Sequence, residues 1–281
     1  MKLIMYHYLK SRGKSYPNFR FLKKSVFLDQ IKKFKSSFLS HKREFNLNSN
    51  KIIFTFDDGL KEHLYACNQL KKVKSIGIFF INTDPIAHEK FCNTHKAHLL
   101  LGKIGGSACI KYILSNTSVI EKKISIKNLY KFDDENTKEF KTIVNHSNII
   151  QIDKILDDMM KYFRIKIKWD QYYMNKDEIR HLHQSGMIIG NHGQNHKKLS
   201  LLSFSEQLKE LKESKEFLED LIKDHLNTFA YPFGTRDSFD LNTIKILKKI
   251  KYKYAFTSDL INSKKDKNYN ISRIDCKNIK I

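Results

Sequence analysis

Short apolar segments alternate along this chain with stretches whose apolar residues recur at helical spacing. The short segments are rich in β-branched and aromatic residues, and they lie at 2–7, 51–56, 76–81, 187–190, 228–231, 254–257 and 271–276. Strands that alternate with helices favour parallel β/α units, because parallel neighbours need a crossover between them. About seven such units predict a distorted (β/α) barrel, which a chain of 281 residues can form with room for an insertion.

One region departs from this alternation. Nearly a hundred residues, from 84 to 176, have helical periodicity and no clear strand. We therefore predict an inserted helical subdomain at 84–176 that caps one end of the barrel. The barrel itself is then built from residues 1–83 and 177–281.

The formal net charge of +22 raises the question of a polyanionic partner. Proteins that bind nucleic acid concentrate their basic residues on one face with aromatic residues among them. Here the basic residues are mostly lysines and are spread along the whole chain. We therefore predict no nucleic-acid partner and leave open a weak, peripheral attraction to anionic glycans or a membrane surface.

The cysteines and the apolar runs bear on the compartment. The chain has four cysteines, none in a C-x-x-C pair: Cys67, Cys92, Cys109 and Cys276. This pattern favours free thiols in a reducing compartment. The apolar run at the amino terminus is too short for a signal peptide, and no run reaches the length of a membrane span. The expectation is a cytoplasmic protein.

The segment Thr-Phe-Asp-Asp-Gly at 55–59 places two carboxylates at the end of a predicted buried strand. Like charges in a poorly solvated place repel, and a metal ion bound to one of the two aspartates would relieve that repulsion while its neighbour stays free to accept a proton. The carboxyl ends of barrel strands are also where barrel enzymes hold their catalytic groups. The alternative is an ordinary Asx turn at a strand end.

Two further segments follow predicted strands. His192 and His196 have i, i+4 spacing and can face the same way on one helical turn, so that with an aspartate they would form a three-ligand metal site. Twelve histidines can also produce this spacing by chance. The Pro-Phe-Gly turn at 232–234 can present the Phe233 N–H to a developing oxyanion, or it can be a plain strand-to-helix turn.

In this order, and each at a strand end, the three segments resemble the polysaccharide deacetylase family (carbohydrate esterase family 4, which includes chitin, peptidoglycan and chitooligosaccharide deacetylases). The family's T-F-D-D-G is matched fully at 55–59. Its H-[ST]-x-x-H becomes 192–196, without the hydroxyl residue, and its R-x-P-[YF]-G becomes 230–234, with Ala230 in place of the arginine. The resemblance covers 1–83 and 177–281 and does not extend to the region between them.

The resemblance implies a role for each matching residue. Asp57 would be the general base that acts on water. Asp58, His192 and His196 would ligate a divalent metal, which is zinc in most members of the family and cobalt, nickel or iron in others. The backbone of Phe233 would help to form the oxyanion hole.

The departures from the family pattern leave two roles to fill. Arg273 is the candidate for the arginine that orients the base, with Arg236 second. The family's late histidine, its general acid, has no counterpart because no histidine follows His225. Some members, including biofilm poly-N-acetylglucosamine deacetylases, carry a Tyr-His segment at their start, which Met5-Tyr6-His7 resembles. His7 is thus a candidate general acid, and a structural role is its alternative.

Together these residues predict a metal-dependent hydrolase that removes an acetyl group, preferentially an N-acetyl group, from a carbohydrate or a sugar-containing intermediate of glycan metabolism. One alternative is an O-deacetylase of a small activated sugar. The other is a catalytically silent carbohydrate-binding homologue, which the missing arginine favours and the complete set of aspartates and histidines opposes.

Overall fold

A computed structural model describes most of the chain. The described residues are 1–10, 16–116, 133–146, 149–259 and 266–280. Every residue singled out above for a site lies within these ranges.

The residue contacts divide the chain into two compact units. Unit 1 comprises Met1–Ser11, Phe21–Lys90 and Lys168–Ile281, and unit 2 comprises Arg12–Arg20 and Phe91–Ile167. The division into a barrel (1–83 and 177–281) and an insertion (84–176) stays a prediction of domain organisation.

The strands of unit 1 form the parallel sheet that the alternation predicts. They are β1 (Lys2–Tyr6), β2 (Leu9–Lys10), β3 (Leu22–Lys23), β4 (Ile52–Phe56), β5 (Gly77–Ile81), β6 (Ile188–Asn191), β7 (Thr228–Ala230), β8 (Tyr254–Thr257), β9 (Ile271–Ser272) and β10 (Ile274–Asp275). Eight of them form one sheet in the order β10-β1-β4-β5-β6-β7-β8-β9, and β2 pairs with β3. Every pair in the large sheet is parallel.

The last strand nearly closes this sheet into a barrel. β9 and β10 are separated only by Arg273, yet β9 pairs with β8 at one edge of the sheet and β10 pairs with β1 at the other. The distorted (β/α) barrel is therefore confirmed. The seven predicted strands correspond to the eight segments of the sheet, with β9 and β10 as halves of one broken strand.

Helices lie between the strands along the chain. Their bounds are α1 (Lys24–Phe34), α2 (His63–Lys72), α3 (Thr83–His88), α4 (Asn93–Asn116), α5 (Glu135–His146), α6 (Ile149–Tyr162), α7 (Trp169–Tyr172), α8 (Lys176–Gln184), α9 (Phe204–Ile222) and α10 (Leu241–Lys249). All residues of β4 and β5 are buried, as expected for strands covered on both faces. All four cysteines lie among the described residues, where they are buried and not joined in disulfides.

The regular elements among the described residues of unit 2 are helices. α4, α5 and α6 share a core that includes Leu100, Cys109, Phe140 and Leu156. α4 is interrupted at Gly105, whose φ of 77° is outside the helical region. Among the described residues, no helix of the protein combines the length and the apolar character that a membrane crossing requires.

Candidate metal centre and active site

The two adjacent aspartates lie directly after β4, at the carboxyl end of the barrel, and both are buried. The Asp57 N–H donates to the carbonyl of Tyr6 on β1, which ties the start of this turn to the sheet. Asp58 has a φ of 84°, a left-handed conformation that is costly for a residue with a Cβ. Backbone strain of this kind is concentrated at functional sites. Asp57 and Asp58 have different partners.

Asp58 lies beside both histidines of the second motif. Its Oδ1 is 3.4 Å from His192 Nε2 and 3.5 Å from His196 Nε2. The three side chains are buried, and one ligand atom from each lies within 4.8 Å of the others. In a tetrahedral zinc site with bonds of about 2.1 Å, ligand atoms lie about 3.4 Å apart, so the spacing and the donor types both fit a divalent metal.

The orientation of His192 is fixed by the end of β7. Its Nδ1 lies 2.7 Å from the carbonyl oxygen of Ala230. A carbonyl only accepts, so Nδ1 carries the proton and the lone pair of Nε2 faces Asp58. Position 230, where the family has an arginine, therefore contributes its backbone to the site.

The histidine segment is a loop and not the helical turn on which the i, i+4 spacing can place two imidazoles. Gly193 and His196 have φ values of 79° and 52°, and neither value occurs in a right-handed helix. The N–H groups of residues 193–195 donate to side chains of other elements and not to carbonyls within the segment. The two imidazoles still converge, with ring centroids 5.0 Å apart.

Asp57 is held by an arginine from the far end of the chain. Arg273, between β9 and β10, donates from its two terminal nitrogens to the two oxygens of Asp57, at 2.6 and 2.8 Å. It also donates to the Thr257 carbonyl, and its guanidinium lies 5.4 Å from the ring centre of Phe80. Arg236 is exposed. Of the two candidate arginines, the structure thus brings Arg273 to Asp57.

The charges around Asp57 decide its protonation. Burial, the largest influence, acts to raise the pKa of Asp57. The opposing influences of Arg273, His192 and His7 are together stronger, and they hold the pKa below its ordinary value. Asp57 is therefore a carboxylate at neutral pH, able to accept a proton.

His7 lies at the same site, just after β1. Its Nε2 is 3.8 Å from Asp57 Oδ2, and its side chain is 38% exposed, so it faces both the buried carboxylate and solvent. The backbone carbonyl of His7 accepts from Nε2 of the buried His63. Burial lowers the pKa of His63 to about 4, so this imidazole is neutral and positions the chain at His7.

The third motif brings Phe233 against His196, a candidate metal ligand. Its ring centre is 4.7 Å from that of His196. Phe233 has a φ of 64°, and its carbonyl accepts from the hydroxyl of Ser258 at 2.8 Å. A Cβ on the following Gly234 would lie 2.5 Å from the Ser258 nitrogen, so this close turn requires glycine. The turn beside the ligands is thus fixed by contact with the segment after β8.

Sequence reasoning missed the residues that support this site. Glu210 and Asn191 bind the backbone of the histidine loop, and Tyr8 shares a hydrogen bond with Tyr172 at 2.8 Å. Burial, Tyr172 and then the nearby Asp58 raise the pKa of Tyr8, so its hydroxyl stays protonated. A signal for Glu210 was present, since polar residues interrupt the buried face of α9.

Comparison with known proteins gives a sequence match and a match of folds. The family model described as polysaccharide deacetylase matches residues 131–255. This range includes the second and third motifs but not 55–59. It begins inside 84–176, so the prediction that the resemblance leaves out that whole region was wrong. No curated protein sequence matches the chain.

Solved structures share the fold over nearly the whole chain. The Streptococcus pyogenes deacetylase PplD, determined in complex with acetate, is 17% identical with a TM-score of 0.60, over 98% of this chain and 91% of that one. A Bacillus cereus polysaccharide deacetylase is also 17% identical with a TM-score of 0.60, but this chain covers only 64% of it. IcaB from Ammonifex degensii is 14% identical with a TM-score of 0.55, over 98% and 90% of the two chains. These likenesses show the fold, and with the family match they confirm the resemblance to polysaccharide deacetylases.

Proposed function

Starting from this resemblance, we propose that the chain is a metal-dependent hydrolase that removes an N-linked acetyl group from a carbohydrate. One observation carries the proposal: a buried aspartate with two histidines lies next to a second aspartate held as a carboxylate by an arginine. A metal site beside a proton acceptor is the equipment that hydrolysis of an unactivated amide needs.

Asp58, His192 and His196 would hold the metal, with zinc as the first choice for one carboxylate and two imidazole donors. A divalent metal bound by these residues would supply Lewis acidity, which lowers the pKa of water and polarises a carbonyl. The chain's own residues supply the remaining groups.

Asp57 accepts a proton from the attacking water while the oxygen of that water bonds to the acetyl carbon. Arg273 holds both carboxylate oxygens and so fixes the direction in which Asp57 accepts the proton. The Phe233 N–H donates to the oxyanion that forms. His7 protonates the sugar nitrogen while the carbon–nitrogen bond breaks, which leaves acetate and an amine.

The bidentate pair also weighs against a catalytically silent homologue. The third motif has Ala230 where the family has an arginine. Arg273, between β9 and β10, supplies a guanidinium that binds Asp57 instead. We also propose that the barrel (1–83 and 177–281) carries the reaction and that 84–176 is an insertion.

The proposal is tested by acetate release from a panel of N- and O-acetylated sugars. We expect the protein loaded with zinc to release acetate from an N-acetylated sugar, the chelator-treated protein to release none above background, and added zinc to restore release. His192→Ala should stay inactive with zinc present. Acetate release that persists without metal would contradict the proposal. So would a zinc-loaded protein that releases acetate from no substrate of the panel. Release confined to O-acetyl substrates would favour the O-deacetylase.

If His7 is the general acid, the effect of replacing it should depend on the leaving group of the substrate. His7→Ala should lower the rate on an N-acetylated sugar by about 10²-fold, because the amine must be protonated as it leaves. The rate on 4-nitrophenyl acetate should fall much less, since nitrophenolate leaves without a proton. His41→Ala, at an exposed histidine, is the matched control. An equal loss on both substrates would assign His7 a structural role.

A further inference from the structure

The loop between the two histidine ligands is held by a side chain that belongs to no motif. Glu210, on α9, is buried, and its Oε1 accepts from the N–H groups of Gln194 and Asn195 at 2.8 and 2.9 Å. Its Oε2 lies 3.6 Å from Lys197 Nζ. One carboxylate oxygen therefore accepts hydrogen bonds from two successive backbone N–H groups, which lie between His192 and His196 in the sequence.

Neighbouring elements bind the rest of the same loop. Asn191 accepts from the Gly193 N–H, and the carbonyls of Gly193 and Gln194 accept from Thr83 and Asp84 at the start of α3. Each of these contacts uses one peptide group. Glu210 differs from them in that one of its oxygens accepts from two peptide groups, those of Gln194 and Asn195.

His196 needs such support because its backbone conformation is unfavourable. Its φ of 52° is left-handed, and such strain persists only where the surrounding structure over-determines it. Without an acceptor, the N–H groups of Gln194 and Asn195 would seek carbonyls of their own segment, and a helical turn is the nearest alternative. That turn would change the direction of the second imidazole relative to Asp58.

We infer that Glu210 is a positioning residue that holds the 192–196 loop in its metal-binding conformation. This inference rests on the metal site of the proposed function. Glu210 acts through the loop backbone and does not touch the metal. Residues that orient ligands in this way typically contribute about 10–100-fold to metal affinity.

Metal affinity, measured by competition for zinc and by the absorption spectrum of the cobalt-loaded protein, tests this role. We expect Glu210→Ala to weaken binding by about 10–100-fold and to alter the cobalt spectrum. Glu210→Gln keeps an oxygen that can accept both N–H groups, and it should bind metal more tightly than Glu210→Ala. Glu213→Ala is the matched control, because exposed Glu213 lies on the same helix and accepts from the Gln194 side chain instead of from the loop backbone.

A zinc affinity of Glu210→Ala within about twofold of wild type would overturn the inference, because residues that orient metal ligands typically contribute more than this. An equal loss in Glu213→Ala would overturn it as well. If Glu210→Ala does not fold, Glu210→Gln and Glu210→Asp decide. Aspartate keeps the charge but is one methylene too short, so glutamine should retain affinity and aspartate should lose it; equal affinities would refute the role. Because no variant is judged by acetate release, failure here is distinguishable from failure of the deacetylase proposal.

Discussion

Replacing Asp57 by Asn should lower acetate release by about 10²–10⁴-fold, the usual contribution of a general base. The amide keeps the shape of the side chain but cannot accept the proton of water. Because Asp58, His192 and His196 are unchanged, zinc affinity should stay close to that of wild type. Steady-state release by zinc-loaded protein, together with zinc competition, measures both quantities.

Asp58→Asn is the contrasting variant for this prediction. It removes the charge of the proposed ligand Asp58, which lies 3.4 Å from His192 Nε2, so both zinc affinity and acetate release should fall. We expect Asp57→Asn to lose activity but retain the metal, and Asp58→Asn to lose both. That difference separates the roles of the two aspartates. If Asp57→Asn keeps more than a tenth of wild-type turnover, Asp57 is not the base.

Replacing Arg273 by Ala should destabilise the fold by about 3–5 kcal/mol, because it leaves the buried Asp57 carboxylate without its counter-charge. The same change removes contacts between the closing strand and the barrel, including the bond to the Thr257 carbonyl. Urea unfolding of metal-free protein measures the loss. Arg236→Ala, at an exposed arginine, should stay within about 0.5 kcal/mol of wild type.

A double-mutant cycle isolates the ion pair from the other contacts of Arg273. In an Asp57→Asn background no carboxylate is left unpaired, so Arg273→Ala should cost less there than in wild type. Since the pKa of Asp57 is lowered in the folded protein, the pair stabilises above the ordinary pKa of aspartate, and its contribution is lost as the pH falls through the folded-state pKa. Equal costs in both backgrounds would show that the two residues are not coupled.

The sequence by itself determined the barrel and most of the candidate site. β-branched and aromatic segments alternating with helical ones leave few arrangements other than parallel β/α units. The carboxyl ends of parallel strands meet at one end of a barrel, so residues that follow β4, β6 and β7 converge there regardless of the chain between them. The resemblance to polysaccharide deacetylases then singled out Asp58, His192 and His196 among these residues.

Only the tertiary structure decided how the site is supported. Arg273 and Asp57 are 216 residues apart, and their contact depends on where β9 ends and β10 begins, which no local pattern encodes. The spacing of His192 and His196 is compatible with a helical turn, and local periodicity cannot show that the segment finds its hydrogen-bond acceptor on another element. Glu210, on α9, is that acceptor, and its two hydrogen bonds replace those that a helix would have made. Strand ends are a local property of the sequence, whereas the choice of partner for a buried charge or a loop N–H depends on packing across the whole unit.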